Sequence, residues 1–240
     1  MWEWMAGSGR LSATARRLSL THLPPLDYRW GHNLSHWFHQ VHALWCLLLF
    51  PVNVLFASPT CTPWSTNARQ WSPEKREALR GHEALTLRFL TICFFIQSLL
   101  GRSWMVEQPA GSDMFRASAL SLLTGDDPLE PNFDFTFDQC MLGAHSENIP
   151  VKKRSTLLAN RPFSSEPPQC DQSHQHCVLR GSDRFGVRTA QAAVYPPRLC
   201  SLLLDEISQT SDTITSGGRA AEINISQLKI LSITRTPSKK

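Results

Sequence analysis

The run Val52 to Ala57 constrains this chain most. It is short and apolar, it follows Pro51, and it delivers the backbone into the Pro-bracketed segment Ser58-Pro59-Thr60-Cys61-Thr62-Pro63-Trp64-Ser65. A strand of that kind is buried on both faces, the habit of a parallel sheet covered by helices. The flanks supply the helices. Upstream, Leu34, Trp37, Phe38, Val41, Leu44, Trp45 and Leu48 recur at three- and four-residue steps and predict an amphipathic helix over 34–49. Downstream, Ser72 is placed as N-cap, Pro73 at the first helical position and Glu74 in the first turn of a helix running to about Leu100, where Gly101 stops it. Ser103 to Glu107 reads as a strand, and Gln108-Pro109-Ala110-Gly111-Ser112 as a turn opening a helical piece near Met114 to Leu123.

The middle of the chain is therefore strand, helix, strand. The expected fold class is α/β: a partial Rossmann-like, mostly parallel sheet with flanking helices and disordered termini. In a right-handed unit of this type both strands point the same way, and their carboxyl ends lie side by side at the edge where doubly wound folds bind ligands. Cys61 and Glu107 each sit just past such an end, so they are expected to be neighbours in space.

Outside this unit the pattern is weaker. Residues 1–26 show no sustained period and end in Leu23-Pro24-Pro25, which predicts a loosely ordered lead-in to a domain spanning 27–205. Asp126 to Pro131 reads as a loop, and Phe133 to Phe137 and Arg154 to Asn160 as strands. Residues 161–176 are polar and Pro-rich. Thr189 to Leu204 holds a helical stretch broken by Pro196-Pro197, and 206–240 reads as a weakly ordered tail in which Ile223 to Ile233 makes at most one strand.

With 240 residues, 42% hydrophobic and 18% charged, the chain can bury a core. A net charge of +4 tolerates a polyanionic partner without demanding one. Seven scattered cysteines, an odd number, do not make the paired framework of a small secreted domain, so they are read as reduced and the chain as intracellular, nuclear or cytoplasmic. No secretory signal is expected. The segment Gly9 to Leu20, with Arg10, Arg16 and Arg17 and no acid, has the composition of a mitochondrial presequence, although short basic starts are commoner. The apolar stretches Ala43 to Ala57 and Leu87 to Leu100 fall short of the roughly 20 residues a bilayer core requires, so no membrane span is expected.

The cysteine segment resembles the nucleophile loop of cytosine-C5 DNA methyltransferases, in which a Pro-Cys pair follows a strand and an aromatic-Ser pair comes shortly after. Glu107-Gln108-Pro109 is similar to the Glu-Asn turn of the same family. Pro150 to Asn160, with Lys152-Lys153-Arg154, looks like the basic segment and strand that close its pocket, and Tyr195-Pro196-Pro197 like a late helix turn. The matches span roughly residues 27 to 205. Thr60 stands where the family has Pro, and Gln108 where it has Asn.

The resemblance implies S-adenosylmethionine as cofactor and DNA as a possible partner. It implies Cys61 as the thiolate that adds to C6 of cytosine, Glu107 as the acid facing N3 and the exocyclic amine, and Lys153 or Arg154 steadying the base or a phosphate. Asn33, Pro59 and Ser65 are the implied cofactor-side residues. The family opens with a strand and an acidic, Gly-containing loop at a helix N-terminus that holds the cofactor's methionine end. Ala6-Gly7-Ser8-Gly9 has no recognisable apolar strand before it, so the chain reads as lacking this unit, and the segment that reads DNA sequence as absent or tiny. Two readings follow: a methyltransferase-type domain of mobile-element derivation, and a non-catalytic nucleic-acid- or protein-binding remnant of the same origin.

Two other clusters carry chemistry. Cys61 with His145 or His176 would make a thiol–imidazole pair of hydrolase type. Cys170, His174, His176 and Cys177 are zinc-type ligands, but four within eight residues rarely surround one ion, so a metal would need help from Cys140 or His145. A polar loop is the default there, and no metal is assigned.

Overall fold

Burial on both faces is what holds Val54–Ala57 as a strand: all four of its side chains are fully inaccessible. In the computed structural model, which describes residues 1–124, 132–177, 179, 182–183, 186–187 and 192–216, this strand, β2, is the second of five. Its companions are β1 (Trp2–Trp4), β3 (Ser103–Pro109), β4 (Phe133–Asp138) and β7 (Arg154–Ala159), in the order β1-β2-β3-β7-β4. Strands β1, β2 and β3 are parallel, and β7 runs antiparallel to both β3 and β4, which leaves β4 parallel to the first three. Two short strands, β5 (His145–Ser146) and β6 (Ile149–Pro150), form a small ladder between β4 and β7. The expected loop Asp126 to Pro131, the expected strand Ile223 to Ile233 and residues 189–191 of the expected late helix lie outside the described residues.

Helices cover both faces. On one lie α2 (Trp37–Leu49), α3 (Pro73–Leu99) and the short α4 (Met114–Ala117), packed with Trp4, Leu55, Ala57, Trp104 and Val106. On the other lie α1 (Arg10–Arg17) and α5 (Pro197–Ser216), against Val54, Phe56, Met105 and Leu157. The α/β class and mostly parallel sheet expected from the sequence are the ones observed. Helix α3 begins as its sequence dictates: Ser72 Oγ accepts from Lys75 N at 3.3 Å with Pro73 in the first turn.

Four expectations change. Residues 1–26 are not a loose lead-in, because they hold β1 and α1, with Trp2 and Trp4 buried. Three residues are too few to display a period, and the acid between the two tryptophans hid the strand. In α2 the buried residues are Ala43 and Leu47, with Leu44, on the expected face, and Cys46 partly buried against the same core; Trp37, Phe38, Val41, Trp45 and Leu48 face outward. This helix is apolar nearly all round, so periodicity could not choose its buried face. Pro196-Pro197 does not break the late helix but starts it, since Pro is suited to the first helical position. The weakly ordered tail does not begin at 206: α5 continues to Ser216 with Ile207 in the core, and Glu206, 3% exposed, accepts from the backbone N–H and hydroxyl groups of Ser164 and Ser165. Among the described residues no helix is long and apolar enough to cross a membrane.

Candidate functional site

The carboxyl ends of β1, β2 and β3 open into one cleft of about 740 Å3. Strand β2 hands the chain to the cysteine loop, whose first amide, Ser58 N, still donates to Trp4 O at 3.2 Å. The loop then folds on itself: Trp64 N and Ser65 N both donate to Cys61 O, at 3.0 and 2.9 Å. It is also shaped from outside. Gln108 Nε2 donates to Pro59 O at 2.7 Å, and its Oε1 accepts from Ser112 Oγ at 3.3 Å. The Arg80 guanidinium lies 4.7 Å above the Trp64 ring, donates to Pro63 O at 3.1 Å and pairs with Asp113 at 3.0 Å. Gln108 is thus the clamp between the cysteine loop and β3.

Cys61 and Glu107 face the same cleft, as strand order requires. Glu107 is 4% exposed. Its Oε2 accepts from Ser58 Oγ at 3.1 Å and Tyr195 Oη at 3.2 Å, and its Oε1 from Ser155 Oγ at 2.6 Å, with Lys153 Nζ 3.9 Å away. A carboxylate has about four lone-pair directions, and three hydroxyls occupy three of them, with Lys153 nearest the fourth. Burial, then the negative Glu107, push the Tyr195 hydroxyl well above its ordinary pKa, so it remains a donor. Burial first and Glu107 second also push the Cys61 thiol up, against a smaller opposing pull from Lys153. The cysteine is half-buried and free of any disulfide.

The largest correction concerns the start of the chain. Strand β1 runs into Met5-Ala6-Gly7-Ser8-Gly9 and then into α1, so the strand, Gly loop and helix N-terminus that the sequence reading missed are present. Glu3 lies in the middle of β1, 2% exposed, and its Oε2 accepts from Ser12 N at 2.8 Å and Ser12 Oγ at 2.5 Å. Beyond β1 the sheet is extended by one parallel bridge, Trp4 to Leu26, which sets Asp27 at the same carboxyl edge. Asp27 accepts from Gly7 N and Arg29 N, both at 2.9 Å, and so ties the Gly loop to the next turn. Glu3 and Asp27 are the acids that sequence reasoning missed; the available signal was an acid beside each short apolar piece, Trp2-Glu3-Trp4 and Leu26-Asp27.

Asn33, Pro59 and Lys153 line the cleft. The Asn33 side chain is engaged locally, accepting from Ser35 N and Oγ at 3.0 and 2.8 Å, and Asp27 rather than Asn33 is the acid on that side. Ser65 is not among the lining residues; its hydroxyl donates to Thr62 O at 3.3 Å. Lys153 Nζ also donates to Ala192 O at 3.2 Å. Arg154 points elsewhere, donating to Gln169 Oε1 at 2.8 Å. Neither His145 nor His176 lines the cleft, so the thiol–imidazole pair expected as an alternative is not assembled.

Gly9 is the residue of the loop least able to change. It has φ +64°, and a Cβ there would stand 2.0 Å from Trp30 Cη2. The replacement Gly9→Ala is expected to cost about 1–2 kcal/mol through the left-handed backbone alone, and more once the Trp30 ring is displaced. Urea denaturation measures it, and an unchanged midpoint would show that the loop relaxes freely.

The geometry defines an α/β protein with a crevice at the carboxyl ends of parallel strands, a buried acid beside a cysteine loop, and a glycine loop at a helix N-terminus. No family model and no curated protein matches the chain. Among solved structures it is similar to a triple mutant of DNMT2 from Spodoptera frugiperda, at 15% identity and a TM-score of 0.35, over 72% of this chain and 55% of that one. The chain thus spans about half the length of that neighbour.

Proposed function

We propose that this chain is a methyltransferase-type domain whose cleft binds S-adenosylmethionine beside a nucleophile–acid pair, Cys61 and Glu107, of the kind that acts on C5 of cytosine. The observation that carries the reading is the convergence on one cleft of the Gly7–Gly9 loop, the Cys61 loop and Glu107 from three adjacent parallel strands. Donor chemistry and space suit the cofactor. Gly7 has φ +52° with nothing within 4 Å of where a Cβ would stand, and Glu3 and Asp27 offer carboxylates to a cationic, hydroxyl-rich ligand. The volume lies in the range of small-molecule sites, about 300–1,000 Å3.

When bound, the cofactor would supply an electrophilic methyl group. The chain's own residues do the rest. Cys61 Sγ gives its proton to water in the open cleft and adds to C6, which makes C5 nucleophilic; after methylation cleft water takes the C5 proton, its electron pair re-forms the C5–C6 double bond, and the C6–S bond breaks to return the thiolate. Glu107 faces N3, with Ser58, Ser155 and Tyr195 fixing its carboxyl plane. Lys153, close to Glu107 and on the rim, steadies the adduct's charge.

One feature favours a second reading, binding without turnover: the half-buried Cys61 thiol is pushed up from its ordinary pKa by burial first and Glu107 second. Two measurements separate the readings. Calorimetry is expected to show S-adenosylmethionine binding that is weakened by Gly7→Val. Incubation with fluorocytosine-containing DNA and S-adenosylmethionine is expected to give a covalent adduct, lost in Cys61→Ser. Cofactor binding without an adduct leaves the second reading, and absence of cofactor binding by the folded chain ends both the cofactor claim and the first reading.

A further inference from the structure

The polar stretch 161–176 has no role in methyl transfer, yet it folds into an ordered cluster. One ligand atom each from Cys140, Cys170, His174 and His176 lies within 4.8 Å of all the others. Cys170 Sγ stands 3.7 Å from His174 Nε2 and 3.5 Å from His176 Nε2, and the two imidazole centroids are 4.5 Å apart. We propose that these four side chains form a structural zinc site that staples the 168–177 loop to the end of β4.

The donor set is the first argument. Two thiols and two imidazoles are the ligands of closed, tetrahedral zinc sites, and soft sulfur with imidazole selects zinc over magnesium or calcium. With Zn–S and Zn–N bonds of about 2.3 and 2.0 Å, neighbouring donors sit roughly 3.3–3.8 Å apart, so the cluster has to contract by only about 1 Å. The fourth ligand is the decisive one. Four donors crowded into the loop itself could not surround an ion, and the structure replaces Cys177 by Cys140, buried on the 3-10 turn Gln139–Leu142 that follows β4. The ion is thereby approached from two separate backbone segments.

The frame is the second argument, because it is set without any metal. Asp138 N donates to Pro168 O at 2.9 Å, and Cys170 N donates to Asp138 Oδ2 at 2.9 Å. Gln169 Nε2 donates to Thr136 O at 2.6 Å. At the far end, Cys177 N donates to Pro150 O at 2.8 Å, and Val151 and Cys177 form a parallel bridge. Pinning on both sides of the three loop ligands, and of Cys140 through the Gln139 N–H to Lys153 O bond, holds them in place before binding. Binding would form two S–Zn and two N–Zn bonds and release the two thiol protons to solvent. No ligand position is left open, which makes the role structural. The same hydrogen bonds run on through Gln139 N to Lys153 O at 2.8 Å, so the staple also braces the segment that carries Lys153 to the cleft.

The test uses the full wild-type chain. Metal analysis after reconstitution with zinc is expected to give one ion per chain, and cobalt in its place the intense visible bands and sulfur-to-metal charge-transfer absorption of a tetrahedral dithiolate site. Chelation is expected to open Cys140 and Cys170 to maleimide while leaving the labelling of Cys61 and Cys46 unchanged. Cys140→Ser and His176→Ala are each expected to weaken zinc binding more than 100-fold, whereas Cys177→Ser keeps it. A folded chain that takes up no cobalt, a six-coordinate cobalt spectrum, a Cys140–Cys170 disulfide in the purified chain, or loss of binding in Cys177→Ser equal to that in Cys140→Ser would each overturn the proposal. The labelling and cobalt arms need no variant, so a misfolded mutant leaves them decisive.

Discussion

Replacing Glu107 by alanine is expected to destabilise the chain by about 3–5 kcal/mol, the cost of breaking a buried, hydrogen-bonded charge arrangement from one side. Three hydroxyls, on Ser58, Ser155 and Tyr195, converge on this carboxylate with Lys153 beside it. Tyr195 is buried and cannot turn its hydroxyl to bulk water, and Ser155 is fully inaccessible on β7. Each donor stripped of its acceptor costs about 1–3 kcal/mol, and the side chain also leaves a void between β3, β7 and the cysteine loop. Glu107→Gln keeps the volume but puts an NH2 where donors already point, so a smaller loss is expected, about 1–2 kcal/mol. Urea titrations with unchanged slope measure both. A loss below about 1 kcal/mol in Glu107→Ala would show that cleft water satisfies the three hydroxyls, and that Glu107 is not the keystone of the β2–β3–β7 junction.

The second large effect is a pH dependence centred on Glu3. Burial, first, pushes its carboxyl up from 4.5 to about 7, a small part of the push coming from Asp27, against the opposing hydrogen bonds from the Ser12 hydroxyl and amide. Since the folded-state value is the higher one, the folded chain binds the proton more tightly than the unfolded chain between these limits. The contribution to stability is fully present below pH 4.5 and is lost as pH rises through about 7. At roughly 1.4 kcal/mol per pH unit, the group weakens folding by about 3 kcal/mol on passing to pH 8. Other carboxylates titrate in the acid range too, so the clean quantity is a difference. Glu3→Gln, which keeps the acceptor for Ser12, is expected to gain on the wild type by about 3 kcal/mol between acid and pH 8. A difference that stays flat with pH would show that Glu3 is solvated through the cleft.

Glu3 and Glu107 were not equally visible. Glu107 was legible because it lies near the carboxyl end of a strand of ordinary length, the next one after the strand that leads to Cys61, although β3 runs two residues further, to Pro109, than the sequence suggested. Glu3 was not, because β1 is only three residues long and borrows its stability from β2: its register, Trp2 to Leu55 and Trp4 to Ala57, is a tertiary fact. The same contrast separates the two halves of the proposed metal cluster. His174 and His176 are close to Cys170 in sequence, but Cys140 reaches them only through the pairing of β4 with β7 and the turn that follows.

The sequence by itself determined the elements whose signals are local: the buried apolar run of β2, the cap, Pro and stop glycine that bound α3, and the strand–helix–strand order that sets Cys61 beside Glu107. Those signals suffice because burial on both faces, helix capping and right-handed crossover are fixed by nearest neighbours and chain direction. Only the tertiary structure decided which face of α2 is buried, how far α5 runs past 206, that residues 1–9 carry a strand and a glycine loop, and that Asp27 rather than Asn33 stands at the sheet edge. In each of these the energy that selects the outcome comes from a distant partner, a neighbouring strand or a packed helix, and no local pattern records it.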